Sequence, residues 1–253
     1  MTVPICPICS GTEFREFRGR ENAWCVGCHS LERTRYIWLY LTKLNILSKS
    51  SVVFHFGPEK GVSNKIAEIV DAHNYYPLDL FPQTYSGNQV LPYKFDICND
   101  IAHEPDSSVD LLIANHILEH LPVSVDWVIA EFARLLKPGG SMILSVPMTS
   151  NPATVEDLSD LPKNERIKRF GQEDHWRVFG WREFPAMLER VLAAETIVRR
   201  DEHFTDSDLH RAAIPIETVG HPTSNTLFHF VRNERTSRRF ERSTDGRLVR
   251  LRA

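Results

Sequence analysis

Four of the five cysteines fall in two pairs, Cys6-Pro-Ile-Cys9 and Cys25-Val-Gly-Cys28, separated by residues 10–24. Each pair can place two thiolates on one tight turn, and two such turns supply the four tetrahedral sulfur ligands that Zn²⁺ prefers. Four protein ligands leave no open coordination position, so the spacing predicts a structural metal rather than a catalytic one. A redox Cys-x-x-Cys usually sits singly at a βα turn, and the doubling argues against that reading. Cys98, alone in FDICND, reads as a buried small residue. A second cluster is His116-Ile-Leu-Glu119-His120. Its i, i+3, i+4 spacing puts three ligand-type side chains on one face of a helical turn. With His175, from QEDHWR at 172–177, it makes a candidate second metal site; structural hydrogen bonding by Glu119 or His120 is the plainer alternative.

A third group stands at the ends of apolar runs: Phe56-Gly57-Pro58-Glu59-Lys60-Gly61, Asp79-Leu80, Asp96-Ile97 and Asn115-His116. A glycine turn after a first strand lets backbone approach a ligand closely. A carboxylate at the end of a second strand can accept both hydroxyls of a ribose, and such sheets bind ligands at the carboxyl ends of their strands.

The elements that must position these groups alternate along the chain. Strands are expected at 51–56, 75–78, 89–95, 109–114, 141–146, 196–199 and 226–231. The 109–114 run (VDLLIA) is nearly all apolar, as in a central strand buried on both faces. Helices are expected at 31–47, at 62–72 with Ile66, Ile69 and Val70 inward, at 122–136 and at 181–192. Lys137-Pro138-Gly139-Gly140 supplies a terminator for the third of these. The pattern predicts an α/β fold with a doubly wound, mostly parallel, seven-stranded Rossmann-like sheet. Ahead of it stands a zinc-ribbon-like module, so the expected order is module 1–30, connecting helix 31–50, α/β domain 51–231 and tail 232–253. The tail holds eight arginines and little apolar content, so it reads as basic and mobile.

The net charge of -3 argues against the whole chain being a polyanion binder. No run of about 18 apolar residues predicts a membrane span. The N-terminal MTVPICPICSG has neither a basic nor an apolar signal region, so a cytoplasmic location is expected.

From residue 51 to about 200 the chain resembles the class I S-adenosylmethionine-dependent methyltransferases. The likeness is greatest to a bacterial subgroup in which a cysteine module ending in SLERTR precedes an HFGPE-type first loop. It is carried by FDICNDIAHEPDSSVDLLIANHILEHLPVSVDWVIAEFARLLKPGGSMILSVP at 95–147 and by RFGQEDHWRVFGWREF at 169–184. The resemblance implies that Phe56, Gly57, Glu59 and Gly61 surround the methionine end of the cofactor. It implies that Asp79 and Leu80 take the ribose, Asp96 and Ile97 the adenine, and that Asn115 and His116 form the shelf beside the reacting methyl. His175 then becomes the candidate base in a lid over the acceptor, with His116 a second catalytic candidate. The family loop runs acid-x-Gly-x-Gly-x-Gly, whereas His55 stands here at the acidic position and Glu59 replaces the middle glycine. The expected activity is methyl transfer to a small-molecule or glycan-type acceptor. The mixed charges of the module and of 148–180 speak against nucleic acid. An RNA methyltransferase and a non-catalytic binding protein that keeps the fold are the alternatives.

Overall fold

The computed structural model describes residues 3–194, 196–216 and 220–233; most of the tail expected to be mobile, 234–253, lies outside the described residues. The cysteine module is a hairpin of β1 (Phe14–Phe17) and β2 (Arg20–Cys25), flanked by the two cysteine turns. Helix α1 (Glu32–Leu44) follows directly and ends at Asn45 in the left-handed conformation. The central sheet is then laid down as β3 (Val53–Phe56), α2 (Lys60–Ala67), β4 (Tyr75–Asp79), β5 (Tyr93–Lys94), α3 (Ile97–Asp100), β6 (Val109–Asn115), α4 (Val125–Leu135) and β7 (Leu136–Ser145). An insert carries β8 (Met148–Thr149), β9 (Val155–Glu156), α5 (Lys163–Phe170) and β10 (Arg177–Gly180), with its three strands in a small sheet of their own. After it come α6 (Glu183–Leu192), α7 (Arg200–His203), α8 (Asp206–Arg211) and β11 (Phe228–Val231).

The main sheet has the order β11-β7-β6-β3-β4-β5, parallel except for β11, as the alternation of strands and helices predicts. The expected seventh strand at 196–199 is reduced among the described residues to one bridge, Ile197 with Phe228. Two flanking hydrogen bonds, Val198 N to Leu227 O and His229 N to Thr196 O, keep it alongside the edge.

Alternation along β3 divides the core. Phe54 and Phe56 face α4 and α6 through Phe132, Val128 and Leu188. Val53, with Leu111, Ile113 and Ile143 of the neighbouring strands, faces α1 and α2 through Tyr36, Ile37, Tyr40, Leu41, Val62 and Ile66. Cys6, Ile8 and Cys25 belong to this second cluster, so the module is part of the domain's own core.

Several expectations need correction. Helix α2 starts two residues early and ends five early, which leaves Ile69 exposed while Ile66 and Val70 are buried. Residues 137–140 do not simply stop a helix. Helix α4 ends at Leu135 and β7 begins at once, its register with β6 slipping between Val109 and Leu111 to absorb the Pro-Gly-Gly. Arg232, expected at the start of a free tail, is buried, and its guanidinium donates to the carbonyls of Arg134 and Leu136.

Arg35 is fully buried, and its five donors meet five backbone carbonyls. Three belong to the module (Asn22, Ala23, Ser30) and two to the domain (Ala212, Ala213). Arg35→Met leaves those carbonyls without donors. We expect a loss of about 3–5 kcal/mol, the scale of a broken buried charge network. It should appear as a thermal midpoint lowered by roughly 10 °C. Lysine, with three donors, should rescue little of it, and a midpoint unchanged by either substitution would show that the clasp is dispensable.

Candidate functional site

The two cysteine turns are built alike. Ser10 N donates to Cys6 O and His29 N to Cys25 O, and both Ser10 and His29 take positive φ, which turns each chain back under its sulfurs. All four sulfurs lie within 4.8 Å of one another, with Cys6 Sγ 3.6 Å from Cys28 and Cys9 Sγ 3.5 Å from Cys25. Zinc–sulfur bonds of about 2.3 Å at tetrahedral angles require sulfur–sulfur edges of about 3.8 Å, so the donor set fits. Glycine is needed at Gly11 and Gly27, where a Cβ would stand 3.2 Å from Cys9 Sγ. The Cys28 thiol beside Cys6 holds the latter's pKa down to about 4, while Cys28 is itself pushed up by Cys6 and by burial. Such mutual opposition is relieved when a cation takes all four as thiolates.

At the carboxyl end of β3 the chain turns through Gly57, whose φ of +58° and close contact with Ile117 Cδ1 exclude a side chain. Glu59 caps α2, and its carboxylate turns inward. Asn115 Nδ2 donates to Oε1, and His55 Nε2 stands 3.6 Å from Oε2. The contact extends both ways. Tyr75 OH donates to Ser63 and meets His55 Nδ1 at 3.0 Å, while Ser145 Oγ donates to Asn115 Oδ1. A polar chain Ser63-Tyr75-His55-Glu59-Asn115-Ser145 therefore crosses from α2 through β4, β3 and β6 to β7. Burial pushes the Glu59 carboxyl up, but His55, the Arg33 charge and Asn115 outweigh it and hold it below the usual carboxylate range. The anion missing from position 55 has been moved to position 59.

The remaining shelf residues are reached from β4, β5 and β6. Asp79 accepts from Phe81 N and from Tyr85 OH, each at 2.7 Å, and Leu80 beside it is exposed. Asp96 caps α3 by accepting from Cys98 N and Asn99 Nδ2. A carboxylate has about four lone-pair sites, so both acids retain acceptor capacity. Ile97 is buried in the core, and Cys98 is half-buried with its thiol pushed up by burial. Gly61 meets Ile8 of the module, whose Cγ2 would lie 3.2 Å from an added Cβ; the residue is a packing glycine between the cysteine turn and α2.

His116 leaves β6 with φ +54°, an uncommon conformation for a side-chain-bearing residue. Its Nε2 donates to Ser224 O at 3.2 Å, and its Nδ1 faces Glu119 Oε1 at 3.3 Å. Glu119 is 1% exposed and His175 3%. His175 Nδ1 donates to Phe170 O at 3.1 Å, which leaves its buried Nε2 as a lone pair with no partner in the protein. His120 Nδ1 meets Asp174 Oδ2 at 3.1 Å, so its Nε2 is also directed away from that contact. The two imidazoles stand edge to face at 4.7 Å, and Glu119 Oε2 is buried without a partner. Glu119, His120 and His175 thus converge, with ligand atoms within 4.8 Å of one another, and His175 takes the place the spacing had given His116. Burial pushes His175 below the ordinary imidazole value, partly offset by Glu119. Asp174, adjacent to His175 in the chain, pairs with His120. Arg177, fully buried, closes the floor by donating to Glu156 and to the carbonyls of Leu118, Leu121 and Val123. Sequence alone did not single out Arg177 or the His55–Glu59 contact, although their adjacency to the His175 and glycine motifs was the available signal.

Residues 60–144 match the family model of a methyltransferase domain. No curated protein sequence matches the chain. Solved structures similar to it include an S-adenosylmethionine-dependent methyltransferase from Mesorhizobium loti (15% identity, TM-score 0.48, covering 76% of this chain and 97% of that one). Another is the 1,6-didemethyltoxoflavin-N1-methyltransferase of Burkholderia thailandensis with S-adenosylhomocysteine bound (14%, TM-score 0.47, 80% and 79%). A third is the YcgJ protein of Bacillus subtilis (16%, TM-score 0.45, 79% and 99%).

The Glu59 environment gives a pH prediction. A carboxyl with a depressed folded pKa contributes stability that is complete above its unfolded value of about 4.3 and is lost as pH falls through the folded value. Glu59→Gln should therefore lower stability at neutral pH and flatten the stability profile below about pH 4.3. Denaturant midpoints measured from pH 3 to 7 test this, and parallel profiles for the two proteins would contradict it.

Proposed function

We propose that the chain is an S-adenosylmethionine-dependent methyltransferase that methylates a small-molecule or glycan-type acceptor under the insert of residues 148–180, and that its cysteine centre holds a structural zinc. The observation that carries the acceptor reading is how the insert spends its cations. Of Lys163, Arg166, Lys168, Arg169 and Arg177, four are engaged within the insert or its floor. Lys163 pairs with Glu173, Arg169 with Asp157 and Glu165, and Arg177 with Glu156, while Arg166 donates to carbonyls and stacks on Trp176. A phosphate backbone needs such cations unpaired on one face, and this insert pairs four of them with its own groups. The same finding weakens the RNA alternative.

The cofactor supplies a sulfonium methyl group. The Gly57 turn, Glu59 and the shelf at His116 would enclose its methionine end, with Asp79 accepting from the ribose and Asp96 beside the adenine. Transfer is an in-line displacement, so the chain's contribution is chiefly to position the acceptor. Asp79→Ala should weaken S-adenosylhomocysteine binding by on the order of a hundredfold to ten-thousandfold, from two charge-assisted hydrogen bonds of roughly 1.5–3 kcal/mol each. Calorimetry measures it, and unchanged affinity in a folded variant would move the site elsewhere.

We read Glu119, His120 and His175 as a seat for a divalent cation with open positions toward the acceptor. Metal-bound imidazoles donate their second nitrogen to a carboxylate or carbonyl, and Asp174 and Phe170 stand in those places. Metal analysis of the full chain should find two ions, one lost in Cys25→Ser and the other in His175→Ala. Replacement by Co²⁺ distinguishes them, because the tetrathiolate alone gives strong sulfur charge-transfer bands. A single ion insensitive to His175→Ala would leave His175 the role of general base, held neutral by burial.

A further inference from the structure

Among the described residues, three buried guanidiniums have a partner at every nitrogen. Arg35 meets five carbonyls, Arg177 three carbonyls and a carboxylate, and Arg134 the carbonyls of Ile101 and Glu104 together with Glu131 and Asp106. Arg33 differs from these three. It stands in the first turn of α1, its Nε is buried, and among the described residues no group accepts a hydrogen bond from it. Its charge is felt at Glu59, so it lies toward the methionine end of the shelf.

Arg33 lines a cleft of about 390 Å³ between the cysteine module and the α/β domain. Arg20 of β2 lines it from the module side, with Thr149, Ser150 and Ser224 opposite, and none of its ten lining residues is acidic. Arg20 spends its Nε on Glu32, and its two Nη groups make no hydrogen bond among the described residues. The hydroxyls are set to donate as well. Thr149 Oγ1 accepts from Asn151 N and Ser224 Oγ from Met148 N, so each keeps its own O–H for a ligand. Ser224 also receives the His116 ring on its carbonyl, which puts the cleft next to the shelf where the methyl group would be presented.

Two guanidiniums and two donating hydroxyls with no facing carboxylate form a lining that is almost all donor. The unmet demand is for a group with several acceptor oxygens and negative charge, which the planar guanidinium fork matches in geometry. We infer that Arg33 and Arg20 seat an oxyanion, a carboxylate or phosphate carried by a reactant. The inference rests on the methyltransferase reading and narrows its substrate class to an anionic acceptor, the one other source of the same chemistry being the cofactor's own carboxylate.

The test uses the full chain with three probes: S-adenosylhomocysteine, methylthioadenosine, which lacks the amino-acid carboxylate, and inorganic phosphate. Each is titrated calorimetrically into wild type, Arg33→Gln and Arg20→Gln/Arg33→Gln, with folding checked by circular dichroism. The expected result is phosphate binding to the S-adenosylhomocysteine-saturated protein that falls at least tenfold in the double variant, with methylthioadenosine affinity unchanged. This assigns the anion to the acceptor. A tenfold fall in S-adenosylhomocysteine affinity with methylthioadenosine unaffected also supports the seat and assigns it to the cofactor. Nucleoside and phosphate affinities that are indifferent to both arginines overturn it. Failure of both nucleosides to bind any of the proteins would instead refute the methyltransferase reading, and arginine-dependent phosphate binding would still report on the seat.

Discussion

A guanidinium taken out of water must find an acceptor for each of its five donors, and Arg35 meets this demand with carbonyls drawn from both sides of one seam. Much else depends on that clasp. It fixes the hairpin of the cysteine module against the start of α1, and α1 covers one face of the central sheet. Ile8, carried between Cys6 and Cys9, consequently lies against Gly61 in the first turn of α2, where a larger residue would force the module away. The cysteine centre therefore braces the loop that follows β3. Its role is to hold one wall of the site, although the sulfurs themselves are remote from any reacting atom in the proposed chemistry.

The first loop shows how a departure from a family pattern can be compensated. An acid at position 55 and glycine at 59 would leave the carboxylate on the strand and the loop open. Here the imidazole is on the strand, fully buried, and the carboxylate reaches back from the loop to meet it. A carboxylate thus remains at this turn, carried by the loop instead of the strand. The cost of burying Glu59 is offset by His55, Arg33 and Asn115, and the chain through Tyr75 and Ser145 ties four strands together at their functional ends. Phosphate or carboxylate groups are excluded from the point Glu59 occupies, which leaves the Arg33 side of the shelf as the place where an anion is welcome.

Local signals made the architecture legible. The Cys-x-x-Cys spacing works because two sulfurs three residues apart must share a turn, and the buried strand at 109–114 announces itself because both its faces are covered. The differences arise where tertiary context decides. The helix at 62–72 stops at Ala67, although the apolar spacing runs on, and Ile69 is left facing outward. The 196–199 strand keeps a single bridge at the sheet edge, where only one neighbour is available to order it. At the candidate site, the i, i+3, i+4 spacing picks out a turn whose Glu119 and His120 converge with His175. A left-handed φ turns His116 Nε2 toward Ser224 while its Nδ1 stays beside Glu119, and the residue that converges with Glu119 and His120 is His175. That residue arrives from the insert, a distant stretch of chain that no helical wheel contains.

The unsatisfied polar atoms near the module and those at the insert are chemically opposite, and that contrast bears on orientation in the proposed reading. Beside the module, Arg33 has no acceptor, and Arg20, which gives its Nε to Glu32, keeps its two Nη groups free of hydrogen bonds among the described residues. At the insert, outside the residues that line that cleft, stand acceptors without donors, the buried Nε2 of His175 and Oε2 of Glu119. A ligand that satisfies both must carry negative charge at one end and, at the other, either a cation or a group able to yield a proton. Burial sharpens the discrimination, because an unmatched polar atom away from water costs about 1–3 kcal/mol on each side. A molecule bound in reverse would set its anion against Glu119 and leave Arg33 unpaired. In the proposed reading, the same unsatisfied atoms that draw the acceptor in also decide which of its ends faces the methyl group.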